Sequence, residues 1–118
     1  MTVFHITTQA EADAAAVSGT YTPAAFAREG FIHCSYRSQV LATADRLFRG
    51  RRDLVLLQID RNALSCPVVD ENLEGGRELY PHVYGALPMT AVSAVYPFPC
   101  GDDGRFALPA ATRTSSTA

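Results

Sequence analysis

The chain has three histidines, His5, His33 and His82, and each interrupts a short apolar run where valine or isoleucine would pack better. His5 stands in Val3-Phe4-His5-Ile6-Thr7, His33 in Gly30-Phe31-Ile32-His33-Cys34-Ser35, and His82 in Leu79-Tyr80-Pro81-His82-Val83-Tyr84. Imidazoles aimed from strands can exchange protons near neutrality and hydrogen-bond hydroxyls. Singly, each is read first as a hydrogen-bonded structural residue. Together they point to a cleft that they line, and to three rings titrating as a coupled set around neutrality. Glu78, Asp70 and Glu71 read as solvated hairpin charges. Glu78 has a second reading, because strand alternation would put it on one face with Tyr80, His82 and Tyr84.

The same alternation places Phe31, His33 and Ser35 on one face and Ile32 and Cys34 on the other. His33 and Cys34 therefore point apart, which removes them as a nucleophile and base pair. His5, His33 and His82 lack the spacing of a zinc signature, so no metal is expected. Cys34, Cys66 and Cys100 are odd in number, far apart and without C-x-x-C spacing, so a disulfide framework is not indicated. The chain contains no lysine, which excludes Schiff-base chemistry and a P-loop lysine. A net charge of −2 argues against general binding of nucleic acid. The one basic cluster, Arg46, Arg49, Arg51 and Arg52, suits a helix end.

The elements that must position these residues belong to one domain, expected over residues 1–109, with 110–118 as a disordered tail of small and polar residues. Residues 2–7 form a strand. Thr8 with Glu11 has capping-box spacing and starts a helix closed by Gly19, with Ala10, Ala14 and Val17 as its apolar face. Thr22-Pro23 starts a second, short helix ending at Gly30. After Ser35, Val40, Leu41, Ala44, Leu47 and Phe48 predict an amphipathic helix before Gly50. The nearly continuous apolar run Leu54–Ile59 reads as a strand at the centre of a sheet, followed by a short helical turn. Segments 68–73 and 78–84 form a hairpin about Glu74-Gly75-Gly76-Arg77, and Pro81 assigns its second arm to a sheet edge or a bulge. A helical turn at Pro88–Ala91 and an alternating strand 92–98 follow, with Phe106 and Leu108 tucking back. The fold class is α+β: a twisted, largely antiparallel sheet with helices beginning near Thr8, Thr22 and Ser35. With no charged-then-apolar leader and no apolar run of membrane-spanning length, the expected location is the cytoplasm.

Four segments together carry a resemblance that covers nearly the whole chain: Phe4-His5-Ile6-Thr7, Arg28 to Ser35, Asp53 to Leu57, and Glu78 to Gly85. They resemble the bacterial family called domain of unknown function 952. That family has no established activity, and its fold is considered similar to the ADP-ribosyltransferase fold, a split antiparallel sheet with three to four short helices and a cleft for NAD. The resemblance implies NAD or a related nucleotide as substrate, with no tightly bound cofactor, and ADP-ribose transfer or hydrolysis as the reaction. The alternative is a non-catalytic module for a small molecule or partner. Candidate catalytic residues are Glu78, His33 and His82. Candidate binding residues are His5, which matches by position the ribose-holding residue on the first strand, with Thr7, Ser35, Tyr84 and Arg28. Chemically, cleavage of an N-glycosidic bond builds positive charge that a carboxylate stabilises. Arg28, Arg37 and Arg77 are the arginines near enough in sequence to meet phosphates.

Overall fold

The computed structural model describes residues 1–73, 75–110 and 112. Its central sheet is antiparallel, in the order β1 (Thr2–Thr8), β4 (Leu54–Asp60), β8 (Val92–Pro97). The apolar run of β4 is buried at every position from Leu54 to Ile59, because both of its faces are covered. Val55, Leu57 and Ile59 join Val3 in one core cluster, while Leu54 and Leu56 join Phe4 and Ile6 in a second on the other side. Each such fully buried side chain contributes about 1.5–3 kcal/mol relative to exposure.

The helix α1 (Gln9–Ser18) is bounded as its caps dictate: Thr8 Oγ1 accepts from the Glu11 backbone N–H at 3.1 Å, and Gly19 closes the helix at φ 85°. Its buried face differs from the expected one. Ala12 and Ala15 are buried, whereas Ala10 and Ala14 are exposed and Val17 is 91 % exposed. Alanine on nearly every side gives little contrast between faces, so packing chose the face.

After the two-residue strand β2 (Thr20–Tyr21), the segment beginning at Thr22-Pro23 first makes a turn, and the helix α2 starts only at Phe26, ending at Glu29 with Gly30 left-handed at φ 81°. The chain then enters β3 (Ile32–His33), and beyond a 3-10 turn at Arg37–Gln39 it forms α3 (Val40–Leu47), which packs Val40 and Ala44 against the second core cluster. A hairpin of β5 (Val68–Glu71) and β6 (Tyr80–Val83) follows, then β7 (Leu87–Pro88), paired with β2.

The second three-stranded sheet runs β3-β6-β5 and is also antiparallel. The expectation of an edge strand or bulge at Pro81 is corrected: β6 is central. Proline is accommodated because pairing with β3 ends at His33 opposite His82. One residue further, the Pro81 carbonyl still accepts from Cys34 N–H at 3.0 Å, and only the reciprocal donor is lost.

The two sheets meet at one bridge, where Phe4 and Ser35 exchange backbone N–H···O bonds of 2.8 Å in both directions. This contact carries β3 across the start of β1, so Ile32, Cys34 and Val83 enter the first core cluster while Phe31, His33 and Ser35 face the opposite way. Phe106 is buried and Leu108 half-buried against the second cluster. Within the segment expected as a tail, Thr112 is buried and its carbonyl accepts from Arg37 Nε at 3.1 Å. Residues 111 and 113–118 lie outside the described residues. Among the described residues no helix is long and apolar enough to cross a membrane.

Candidate functional site

Between β1, the α2–β3 connection, α3 and β6 lies a cleft of about 490 Å³, within the size range of small-molecule sites. His5, His33 and His82 all line it, with Phe4, Phe31 and Phe48 among its apolar walls. Antiparallel pairing of His33 with His82 sets their rings on one sheet face, centroids 5.2 Å apart. Phe31 stacks on His82 at 4.1 Å and 18°, and Tyr80 flanks His33 at 5.2 Å. The three imidazoles nevertheless have different environments.

His5 is half-buried and held at both ring nitrogens. Its Nδ1 lies 2.7 Å from the His33 carbonyl, which can only accept, so Nδ1 carries a proton. Its Nε2 lies 2.8 Å from the Tyr21 hydroxyl, which also reaches Thr7 Oγ1 at 2.9 Å. Burial drives the His5 pKa down to about 4, against a smaller upward pull from the carbonyl bond. The ring is therefore neutral at pH 7 and leaves the neutral-pH titrating set expected from the clustering. Both nitrogens are spent on holding β1 to β3 and to Tyr21. Burial likewise raises the Tyr21 hydroxyl pKa, so it too stays protonated.

His82 is the reverse case. It is 1 % exposed, and its Nδ1 donates to Glu71 Oε1 at 2.9 Å. Its Nε2 is buried with no hydrogen-bond partner. The Tyr84 hydroxyl donates to the same Glu71 oxygen. That hydroxyl first, and the imidazole second, hold the Glu71 carboxyl below its ordinary range, and the carboxylate in turn raises the pKa of Tyr84. A carboxylate that fixes one imidazole nitrogen presents the other for proton exchange and compensates the charge if the ring takes up a proton.

Hairpin register explains why the carboxylate is Glu71. Opposing pairs Glu71–Tyr80 and Val69–His82 share a face, so Glu71 is the diagonal neighbour of His82. Glu78 lies before β6, exposed, with its Oε1 accepting from Gln39 Nε2 at 3.2 Å. It does not share a face with His82 and Tyr84 as the alternation suggested. The buried Gln39 amide also donates to the Leu79 carbonyl at 2.8 Å, which anchors this approach to β6. The sequence held a signal for Glu71, namely its even spacing from Val69, but only the register of β5 on β6 makes that spacing meaningful.

The other candidates divide. Ser35 is buried at the cleft, 3.4 Å from Thr43 Oγ1, whereas Thr7 faces the Tyr21 and Glu11 side, where its hydroxyl donates to Glu11 Oε1 at 3.2 Å. Tyr84 reaches the site through Glu71 and its edge contact with Phe31. Arg28 is exposed on α2, Arg37 bonds the Thr112 carbonyl, and Arg77 lines a separate, smaller pocket with Arg46, so none of the three lines the cleft. Sequence reasoning also passed over Glu29, which does line it. Among the described residues no three His, Cys, Asp or Glu side chains come together as a metal-holding group.

Comparison with known proteins fits this arrangement to a group. The family model described as Protein of unknown function (DUF952) matches residues 6–95, which run from within β1 to within β8 and include His33, Glu71 and His82. The chain belongs to the DUF952 family. A crystal structure of protein CC0527 from Caulobacter crescentus is 32 % identical, superposes with a TM-score of 0.82, and covers 92 % of this chain and 95 % of that one. The solution NMR structure of CC0527 gives a TM-score of 0.78 at 32 % identity, covering 88 % of this chain and 90 % of that one. No curated protein matches. The DUF952 fold is thus a small mixed domain of antiparallel sheets with few helices.

Proposed function

We propose that this DUF952 protein binds NAD or a related nucleotide in the histidine-lined cleft, with His82 as the proton-exchanging group and ADP-ribose transfer or hydrolysis as its reaction. The observation that carries the reading is His82, a lining residue of the cleft whose ring is buried, fixed at Nδ1 by Glu71, and left with a partnerless Nε2. In cleavage of an N-glycosidic bond, neutral Nε2 accepts the proton of an attacking hydroxyl or water, and Glu71 stabilises the resulting imidazolium. Phe31, stacked on the ring, adds an aromatic surface for a planar base. Two three-stranded antiparallel sheets joined at Phe4 and Ser35 support comparing the fold with the split sheet of ADP-ribosyltransferases.

A second reading, a binding module without turnover, is favoured by the position of Glu78. The carboxylate first assigned to the reaction is outside the cleft. Incubation with NAD and measurement of nicotinamide release separates the two. Saturable binding with release supports the transferase reading, saturation without product leaves the module, and no binding removes NAD as the ligand of either.

A further inference from the structure

Resting on the reading that the cleft holds a ligand, we infer that the part of the ligand seated there is a flat, positively charged heteroaromatic ring, and that Glu29 selects its charge. Three phenyl rings, of Phe4, Phe31 and Phe48, line the cleft, and ring faces attract cations by their quadrupole. The carboxylate among the described lining residues is Glu29, at the end of α2, just before Gly30 turns the chain into the cleft wall. Glu71 adds a second negative charge behind His82. No arginine is among the described lining residues, and the chain has no lysine. An anionic group seated here would give up its water without a cation to meet it, whereas a cationic ring would meet carboxylate and aromatic faces.

The unpartnered nitrogen of His82, a lining residue, is also of the right kind. With Nδ1 donating to Glu71, the buried Nε2 is an acceptor in the uncharged tautomer of His82. It suits an N–H donor on the ring, such as a carboxamide or amino substituent, and repels a carboxylate substituent.

Three probes share one ring and differ in charge: the N-methylnicotinamide cation, neutral nicotinamide and anionic nicotinate. Each is titrated into the folded protein at about pH 8, above the reference histidine value, with chemical shifts followed at Phe31, His33 and His82. The cation is expected to bind about tenfold more tightly than nicotinamide, with nicotinate weakest. Because Glu29 is exposed, Glu29→Gln leaves the fold intact and is expected to compress the ratio of cation to nicotinamide affinity. Nicotinate binding as tightly as the cation, or a ratio unmoved by Glu29→Gln, overturns the inference. Binding of NAD with none of the three rings overturns it too, while leaving the nucleotide reading in place. Failure of NAD and all three rings ends both.

Discussion

Glu71 and His82 face each other diagonally across the β5–β6 hairpin, with Oε1 of one 2.9 Å from Nδ1 of the other, and this contact divides the imidazole into a bound half and a presented half. Glu71→Gln keeps the shape and removes the charge. The amide can offer its N–H or its oxygen to Nδ1, so the proton is no longer held there. We expect nucleotide affinity or turnover to fall at least about tenfold, a change of roughly 1.4 kcal/mol. Nitrogen NMR of His82 should lose its single Nδ1–H tautomer. Glu78→Gln, at an exposed site tied to Gln39, should change affinity less than twofold, on the order of 0.4 kcal/mol. Equal losses in the two variants would return the acidic role to Glu78.

Tyr84 is the larger influence on the Glu71 carboxyl, ahead of His82. Tyr84→Phe should therefore raise the Glu71 titration midpoint toward the ordinary range, read from its side-chain carbon shift. The sign for stability follows. A carboxyl depressed in the folded state stabilises the protein above its unfolded pKa, and that stabilisation is lost as pH falls through the folded value. Denaturation curves of Tyr84→Phe and the parent should converge as pH falls below about 4. A midpoint unmoved by the substitution would show that this hydroxyl does not hold the carboxylate.

His5 contributes with the same sign, over a higher pH range. Its folded pKa of about 4 lies below the ordinary 6.5, so on acidification the unfolded chain takes up the proton first. Stability is complete above about pH 6.5 and declines toward about pH 4, by up to about 3 kcal/mol at 1.36 kcal/mol per unit. Urea denaturation across that range should show His5→Gln with a shallower acid loss than the parent. At pH 8 the variant should be less stable by roughly 1–3 kcal/mol, from the broken bonds to His33 and Tyr21. A His5 ring seen to titrate near neutrality would refute the locked assignment.

Gly85 follows β6 where the chain passes against Cys66. A Cβ added there would stand 2.7 Å from Cys66 Cβ and 3.0 Å from its Sγ, too near for either atom. Gly85→Ala should destabilise by roughly 1–3 kcal/mol, the range for overpacking, with partial recovery in the Cys66→Gly background. A urea midpoint equal to the parent's would mean that the backbone yields at no cost.

Local signals were legible because they act within a few residues. Thr8 and Gly19 mark the ends of α1 through a side-chain cap and a left-handed glycine, and neither depends on what lies across the fold. The apolar run of β4, broken only by Gln58, implies two covered faces, and both core clusters draw on it. Strand alternation alone puts Phe31, His33 and Ser35 on one side of Ile32 and Cys34, and that side faces the cleft.

What alternation leaves open is everything that depends on register and on partners. Glu78 and Glu71 both suit a hairpin carboxylate facing His82, and the pairing of Glu71 with Tyr80 selects one. The three histidines look alike in sequence, yet a carbonyl and a tyrosine consume His5 while Glu71 leaves one nitrogen of His82 without a partner. Pro81 signalled an edge strand, but β3 ends its pairing where the missing donor would have been needed, and β6 becomes central. An alanine-rich helix cannot declare its buried side, and contact with the sheet chose Ala12 and Ala15 over Val17. In each case the deciding free energy comes from groups far apart in the chain, so hydrogen bonds and packing across the fold set it, beyond the reach of spacing along one strand or helix.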